Sequence, residues 1–256
     1  MAYTIAVAGK GGTGKTTICG MIIDYLCSNS KTPILAVDAD ANSNLNEVLG
    51  VDIETTLGEI REEVARAELA AVSPIPAGIS KMDYMETKFA NALIEEKDFD
   101  MLVMGRSQGE GCYCYVNGIL KTQITKLAQN YKYIVVDNEA GMEHISRGIV
   151  KKIDVLLLVS DASRRGVQAA GRIAEIVREM GLNPTVMGLI INRAPNGFVP
   201  QGLGDEIEKQ GLSLLGVVPH DELVYEYDSQ GMPTSQLPEG SVSKKAIHEI
   251  MAKLGA

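Results

Sequence analysis

Residues Gly9 to Thr17 read Gly-Lys-Gly-Gly-Thr-Gly-Lys-Thr-Thr. Gly9, Gly14, Lys15 and Thr16 fit the spacing G-x-x-x-x-G-K-[ST], in which a glycine-rich turn points its N–H groups at phosphate oxygens. Gly11, Gly12 and Thr13 fill the turn, Thr17 follows it, and the start of the next helix adds positive potential. At this spacing Lys15 reaches β- and γ-phosphates and the Thr16 hydroxyl sits on Mg²⁺. The same letters also spell Gly9-x-Gly11-x-x-Gly14, a dinucleotide fingerprint, for which Asp38 could be the acidic residue about 20 positions on. Lys15, Thr16 and a second acidic strand end at Asp137 would then have no role, so a nucleoside triphosphate is the expected ligand.

Further groups follow. Val37-Asp38-Ala39-Asp40 ends an apolar run, and a carboxylate at such an edge could orient or deprotonate an attacking water. The plainer alternative is that Asp and Asn here cap the next helix. Ile134-Val135-Val136-Asp137 is an apolar strand ending in an acid, the pattern that holds Mg²⁺ through water. Ile190-Ile191-Asn192-Arg193-Ala194-Pro195 has proline where a guanine-reading N-K-x-D motif has aspartate, which favours adenine. Cys112-Tyr113-Cys114 follows a glycine-rich stretch, and two thiolates one residue apart can chelate a soft or borderline ion. Spacing alone leaves two unremarkable thiols open as the alternative. Two ligands do not close a tetrahedral site, whereas two copies of the motif across a twofold axis would. Cys19 and Cys27 lie eight apart on one helix and are expected to be buried, and His144, His220 and His248 show no ligand spacing.

The elements that must carry these groups are short, mostly continuous apolar runs: Tyr3 to Ala8, Pro33 to Asp38, Asp100 to Met104, Tyr133 to Asp137, Asp154 to Ser160, Thr185 to Asn192 and Leu214 to Val218. Continuous runs of this kind are strands covered on both faces. Helical patterns lie between them at Lys15 to Ser28, Gly118 to Asn130 and Gly166 to Met180. The expectation is an α/β fold with one doubly wound, mostly parallel sheet of seven to eight strands and helices on both faces, in a single domain over residues 1–256. Ser241 to Leu254 reads as a terminal helix packed on the core rather than as a membrane-targeting helix, because it is short and lacks aromatic anchors.

The chain has 256 residues, 24 basic against 33 acidic, and a net charge of −9, which speaks against a nucleic-acid binder working through a general basic surface. No apolar run approaches the ~18 residues that span a bilayer. Four cysteines and no signal-like N-terminus lead us to expect reduced thiols and a cytoplasmic location.

A second lysine at the loop start, Lys10, resembles the deviant phosphate loop of the MinD/ParA and nitrogenase iron-protein ATPases. The resemblance implies a P-loop NTPase in which Lys10 crosses a dimer interface to the partner's nucleotide. It places Asp40 at the attacking water and Asp38 beside Mg²⁺, with Thr16 and Asp137. Asn192, Arg193, Pro219 and Asp221 hold adenine, and Gly141 resembles the glycine that senses the γ-phosphate. Many members have proline where this chain has Ala41. With Cys112-x-Cys114 added, the whole chain is similar to the CooC-type ATPases that supply nickel to carbon monoxide dehydrogenase. That implies slow Mg²⁺-dependent hydrolysis of ATP to ADP, an ATP-stabilised homodimer, and Ni²⁺ or Zn²⁺ on the cysteine pair. The alternative is a MinD/ParA-like positioning ATPase.

Overall fold

The computed structural model describes residues 2–40, 42–69, 75–76, 78–105, 122–139 and 152–255. Eight strands form one sheet: β1 Tyr3–Gly9, β2 Ile34–Ala39, β3 Ile94–Glu95, β4 Asp100–Val103, β5 Tyr133–Asn138, β6 Val155–Asp161, β7 Val186–Ala194 and β8 Leu214–Pro219. Their order is β3-β4-β2-β5-β1-β6-β7-β8. Every pairing is parallel except β3 with β4, a two-residue antiparallel edge that the sequence pattern did not predict. Two residues are too few to show any alternation of apolar and polar side chains.

The seven longer strands fall on the predicted runs because those runs are buried on both faces. In β1, Ile5 and Val7 point to one side and Ala6 and Ala8 to the other, and all four are fully buried. Helices α1 Lys15–Ser28 and α2 Leu45–Leu49 cover the first face. They do so through Ile18, Ile22, Leu45 and Leu49. Helices α3 Leu57–Leu69, α4 Lys81–Asn91, α5 Arg164–Glu179 and α6 Gln201–Lys209 cover the other. Their contacts include Leu57, Ile60, Phe89, Val167, Ala174 and Leu203. Helix α5 begins two residues before the predicted start, since Ser163 caps it by accepting from Gly166 N at 3.0 Å. Part of the predicted helix Gly118 to Asn130 lies outside the described residues; helical turns at 122–127 run into a 3₁₀ turn, Ala128–Asn130.

Helix α7 Glu222–Ser229 follows β8, and α8 Val242–Leu254 closes the described chain. The latter packs Ile247, Ile250 and Met251 onto the α1 face and is part of the core. Lys244 on it bridges Asp24 of α1 (3.1 Å), which also meets His248 (2.9 Å). No helix among the described residues is long and apolar enough to cross a membrane.

The parallel arrangement brings the carboxyl ends of β1, β2, β5, β6 and β7 to one edge. Asp38 on β2 lies directly opposite Asp137 on β5, and Val7 on β1 lies opposite Asp137. Chain segments leaving that edge form the site, as expected for an open α/β sheet.

Candidate functional site

The loop after β1 turns through Gly12 (φ 78°) and Gly14 (φ 88°), left-handed conformations that glycine adopts freely. A Cβ on Gly9 would lie 2.2 Å from the Val159 carbonyl oxygen, so only glycine lets the turn sit this close to β6. Thr13 folds back on the loop, its hydroxyl donating to Lys10 O at 2.8 Å. Helix α1 then starts at Lys15, with Gly14 O accepting from Ile18 N at 3.0 Å. Its unpaired N-terminal N–H groups and the loop amides make a cradle for an anion.

Two side chains from β7 brace this loop. Asn192 Nδ2 donates to Thr13 O (2.8 Å), and Arg193 Nη1 donates to Gly12 O (3.3 Å). Arg193 has a left-handed backbone (φ 53°), held as its N–H donates to Asn192 Oδ1 at 2.9 Å. Asn192 and Thr13 are 179 residues apart in sequence, so the strut is invisible to any local pattern. It is a second task for a residue that sequence reasoning assigned to the base.

Beneath the loop lie Lys15 (7% exposed), Asp38 and Asp137, all buried. Burial pushes the Asp137 carboxyl up to about 6, against the Thr16 hydroxyl and the Lys15 ammonium, which lower it. Its Oδ1 is buried with no hydrogen-bond partner. Burial likewise pushes Asp38 up to about 7, although it accepts from Leu45 N (3.0 Å) and Asp40 N (3.0 Å). Two desolvated carboxylates side by side, one with an oxygen unmet, form a site that an added cation would satisfy. Hard oxygen donors, few in number and next to a phosphate cradle, suit Mg²⁺, which is commonly bound by one or two carboxylates plus substrate phosphates. Cys19, fully buried as expected, sits against Asp137, and burial raises its thiol. Cys27 is only half-buried.

Asp40 stands above this layer, half-buried, with Oδ1 accepting from Asn42 N at 2.8 Å. It lines a broad cleft of about 930 Å³ with Gly11, Gly14, Lys15, Thr16 and Arg193. Lys10 is exposed beside it.

A second cavity, about 290 Å³, opens next to the cleft. Its walls include Thr17, Ile18, Asn192, Pro219, Val224 and Tyr225. This mixture of an apolar slot and a few polar groups suits a nucleobase. Asp221 also lines it, but as the cap of α7: its carboxylate accepts from Leu223 N, Ser243 N and the hydroxyls of Ser241 and Ser243, at 2.7–3.1 Å. Burial pushes Asp221 up, yet these donors together outweigh it and hold the carboxyl below its ordinary value. Sequence reasoning missed the α7 face, Val224, Tyr225 and Asp228; its signal was the i, i+3, i+4 spacing from Asp221.

The structure thus brings the phosphate loop, Asp38, Asp40, Asp137, Asn192, Arg193, Pro219 and Asp221 to one edge. Cys112, Cys114, Gly141, Ala41 and His144 lie outside the described residues. Among the described residues no group of three or more His, Cys, Asp or Glu could hold a metal ion.

A sequence profile of the CobQ/CobB/MinD/ParA nucleotide binding domain matches residues 4–234. The chain is 41% identical to an uncharacterized ATP-binding protein of Methanocaldococcus jannaschii, over 98% of this chain and 97% of that protein. It is 28% identical to the carbon monoxide dehydrogenase accessory protein CooC of Rhodospirillum rubrum, over 98% of this chain and 95% of that one. Among solved structures, a ParA family ATPase from Chlorobium tepidum superposes with a TM-score of 0.74 at 21% identity, covering 99% of this chain and 98% of that one.

Proposed function

The chain belongs to the CobQ/CobB/MinD/ParA nucleotide-binding family, and from that premise we propose a Mg²⁺-dependent ATPase that acts as a metallochaperone. Its cargo is nickel, or zinc in its place, held on Cys112 and Cys114 at the interface of a homodimer and delivered to a carbon monoxide dehydrogenase. The whole chain, residues 1–256, works as one ATPase domain.

The loop amides and Lys15 hold the β- and γ-phosphates, and Lys15 offsets charge that builds there as the terminal phosphoryl leaves. Thr16, Asp38 and Asp137 would hold Mg²⁺, which when bound neutralises charge on the phosphate oxygens. Asp40 positions the attacking water and takes its proton. Lys10 extends from the rim toward the partner's nucleotide. Asn192 and Arg193 keep the loop in register while Pro219 and the α7 face enclose the adenine.

One observation carries the metal assignment. Strand β4 runs parallel to β2 and ends at this edge, where Met104 N donates to Asp38 O at 2.8 Å. The chain therefore leaves the sheet from beside the proposed Mg²⁺ carboxylates eight residues before Cys112, which supports a link between cargo and nucleotide. The full-length likeness to CooC supports the same reading. A positioning ATPase of the MinD/ParA kind is the second reading, favoured by the fold likeness.

Metal counting by plasma mass spectrometry, with and without ATP, tests the proposal. It expects one nickel or zinc ion per dimer, lost in Cys112→Ser or Cys114→Ser while ATP binding persists. One ion per monomer, or binding that survives both substitutions, would leave the positioning reading.

A further inference from the structure

A nucleotide is a linear object in which ribose joins base to phosphates, so the ribose must sit where the base cavity meets the phosphate cleft. Three side chains line both: Thr17, Arg193 and Asp228. Arg193 is committed to Gly12 O and to bracing the loop. Asp228 is different. It lies on the face of α7 that also carries Val224 and Tyr225, one turn further along, and of those three it alone reaches the cleft. Among the described residues its carboxylate has no hydrogen-bond or ion-pair partner, and the side chain is exposed.

Its position is also unfavourable for the helix. Asp228 stands in the last turn of α7, which contains no basic residue, where the helix presents its negative end. The fold supplies this anion with no partner among the described residues. Its carboxylate is open to whatever fills the junction.

We propose that Asp228 reads the ribose of the bound nucleotide, accepting hydrogen bonds from the vicinal 2′- and 3′-hydroxyls and so selecting ribonucleotides over deoxyribonucleotides. The inference rests on the nucleotide-binding reading above and adds to it the sugar as a point of selection. An ionised carboxylate only accepts hydrogen bonds and has two oxygens, which matches a pair of adjacent hydroxyl donors. Dinucleotide-binding folds use a carboxylate on ribose in the same chemical way. Near the phosphates an unpaired carboxylate is repelled, so two charge-assisted hydrogen bonds are needed to make its presence favourable. A nucleotide phosphorylated at the 2′- or 3′-oxygen is repelled by the same charge.

Equilibrium dialysis of the full chain in Mg²⁺ against ATP, 2′-deoxy-ATP and 3′-deoxy-ATP decides the matter. The wild type is expected to prefer ATP by about tenfold over each deoxy form, the scale of one charge-assisted hydrogen bond. In Asp228→Ala the preference falls to near one. Asp228→Asn, which keeps an acceptor but loses the charge, falls between, and Glu226→Gln on the neighbouring turn keeps the wild-type ratio. A wild type that binds ATP and the deoxy forms equally overturns the proposal, as does a tenfold preference surviving in Asp228→Ala. A wild type that binds no nucleotide at all overturns the nucleotide-binding reading, and this proposal with it.

Discussion

At the carboxyl edge of the sheet, Asp38 and Asp137 are buried beside each other and pushed up to about 7 and about 6. On the helical flank, Glu206 of α6 is as well hidden, at 2% exposed, yet its carboxyl is held down at about 2. The causes differ in kind. Glu206 receives Arg164 Nη2 at 2.8 Å, Gln210 Nε2 at 2.9 Å and Gln168 Nε2 at 3.1 Å, so both oxygens are met by donors. Asp137 keeps an oxygen with no partner. Glu206 is finished by the fold, clamping α5 to α6. At the edge Asp38 is met by the N–H groups of Asp40 and Leu45, but Asp137 Oδ1 is left open, and an added cation would satisfy it. An unmet oxygen of this kind marks a candidate binding carboxylate.

The contrast can be tested from the site outward. Lys15→Ala removes the buried ammonium beside Asp137 that is proposed to hold the phosphates, and ATP affinity is expected to fall by about 100-fold or more by calorimetry. Asp40→Ala is expected to slow single-turnover hydrolysis by about 100-fold while ATP still binds, since a water-positioning carboxylate acts on the chemical step. Equal rates in variant and wild type would remove Asp40 from catalysis.

Asp137→Asn tests the pair directly. In EDTA, without nucleotide, the variant is expected to be more stable by roughly 1–2 kcal/mol in urea, because it removes a buried charge that Thr16 and Lys15 only partly offset. Its Mg²⁺-dependent hydrolysis falls at the same time. A loss of stability instead would place Asp137 with Glu206 as a structural group. Glu206→Gln should move the other way and lower the Tm by a few degrees. Because the folded carboxyl of Glu206 is depressed from 4.5 to about 2, its contribution is present above pH 4.5 and lost as pH falls toward 2. The Tm gap between wild type and Glu206→Gln therefore closes across that window.

Much of the site was legible in the letters because its signals are local. Gly9 to Thr17 is one continuous segment, and strand β5 is an apolar run that ends in Asp137 with nothing between. The same holds for Asp38 on β2 and Asp40 just after it, and for the α5 stripe that Ser163 starts. Helices α2, α3, α4, α6 and α7 were not read. The first is five residues long, and the others are short or mix charged with apolar residues too evenly for a stripe to stand out.

Sequence by itself determined the chemistry available: a phosphate cradle, two strand-end acids and a cysteine pair. Tertiary structure decided which of these groups are left unsatisfied and which are consumed. Asp221 was read toward the base, yet serines 20 and 22 residues away both donate to its Oδ2. Asn192 was read toward the base too, yet it braces the loop from the far side of β6. Asp228 follows Asp221 at helical spacing, but only helix α7 put it where the two cavities meet. The physical reason is common to all three. A residue's type sets what it can donate or accept, but whether that capacity is already filled depends on partners that only folding brings within 3 Å.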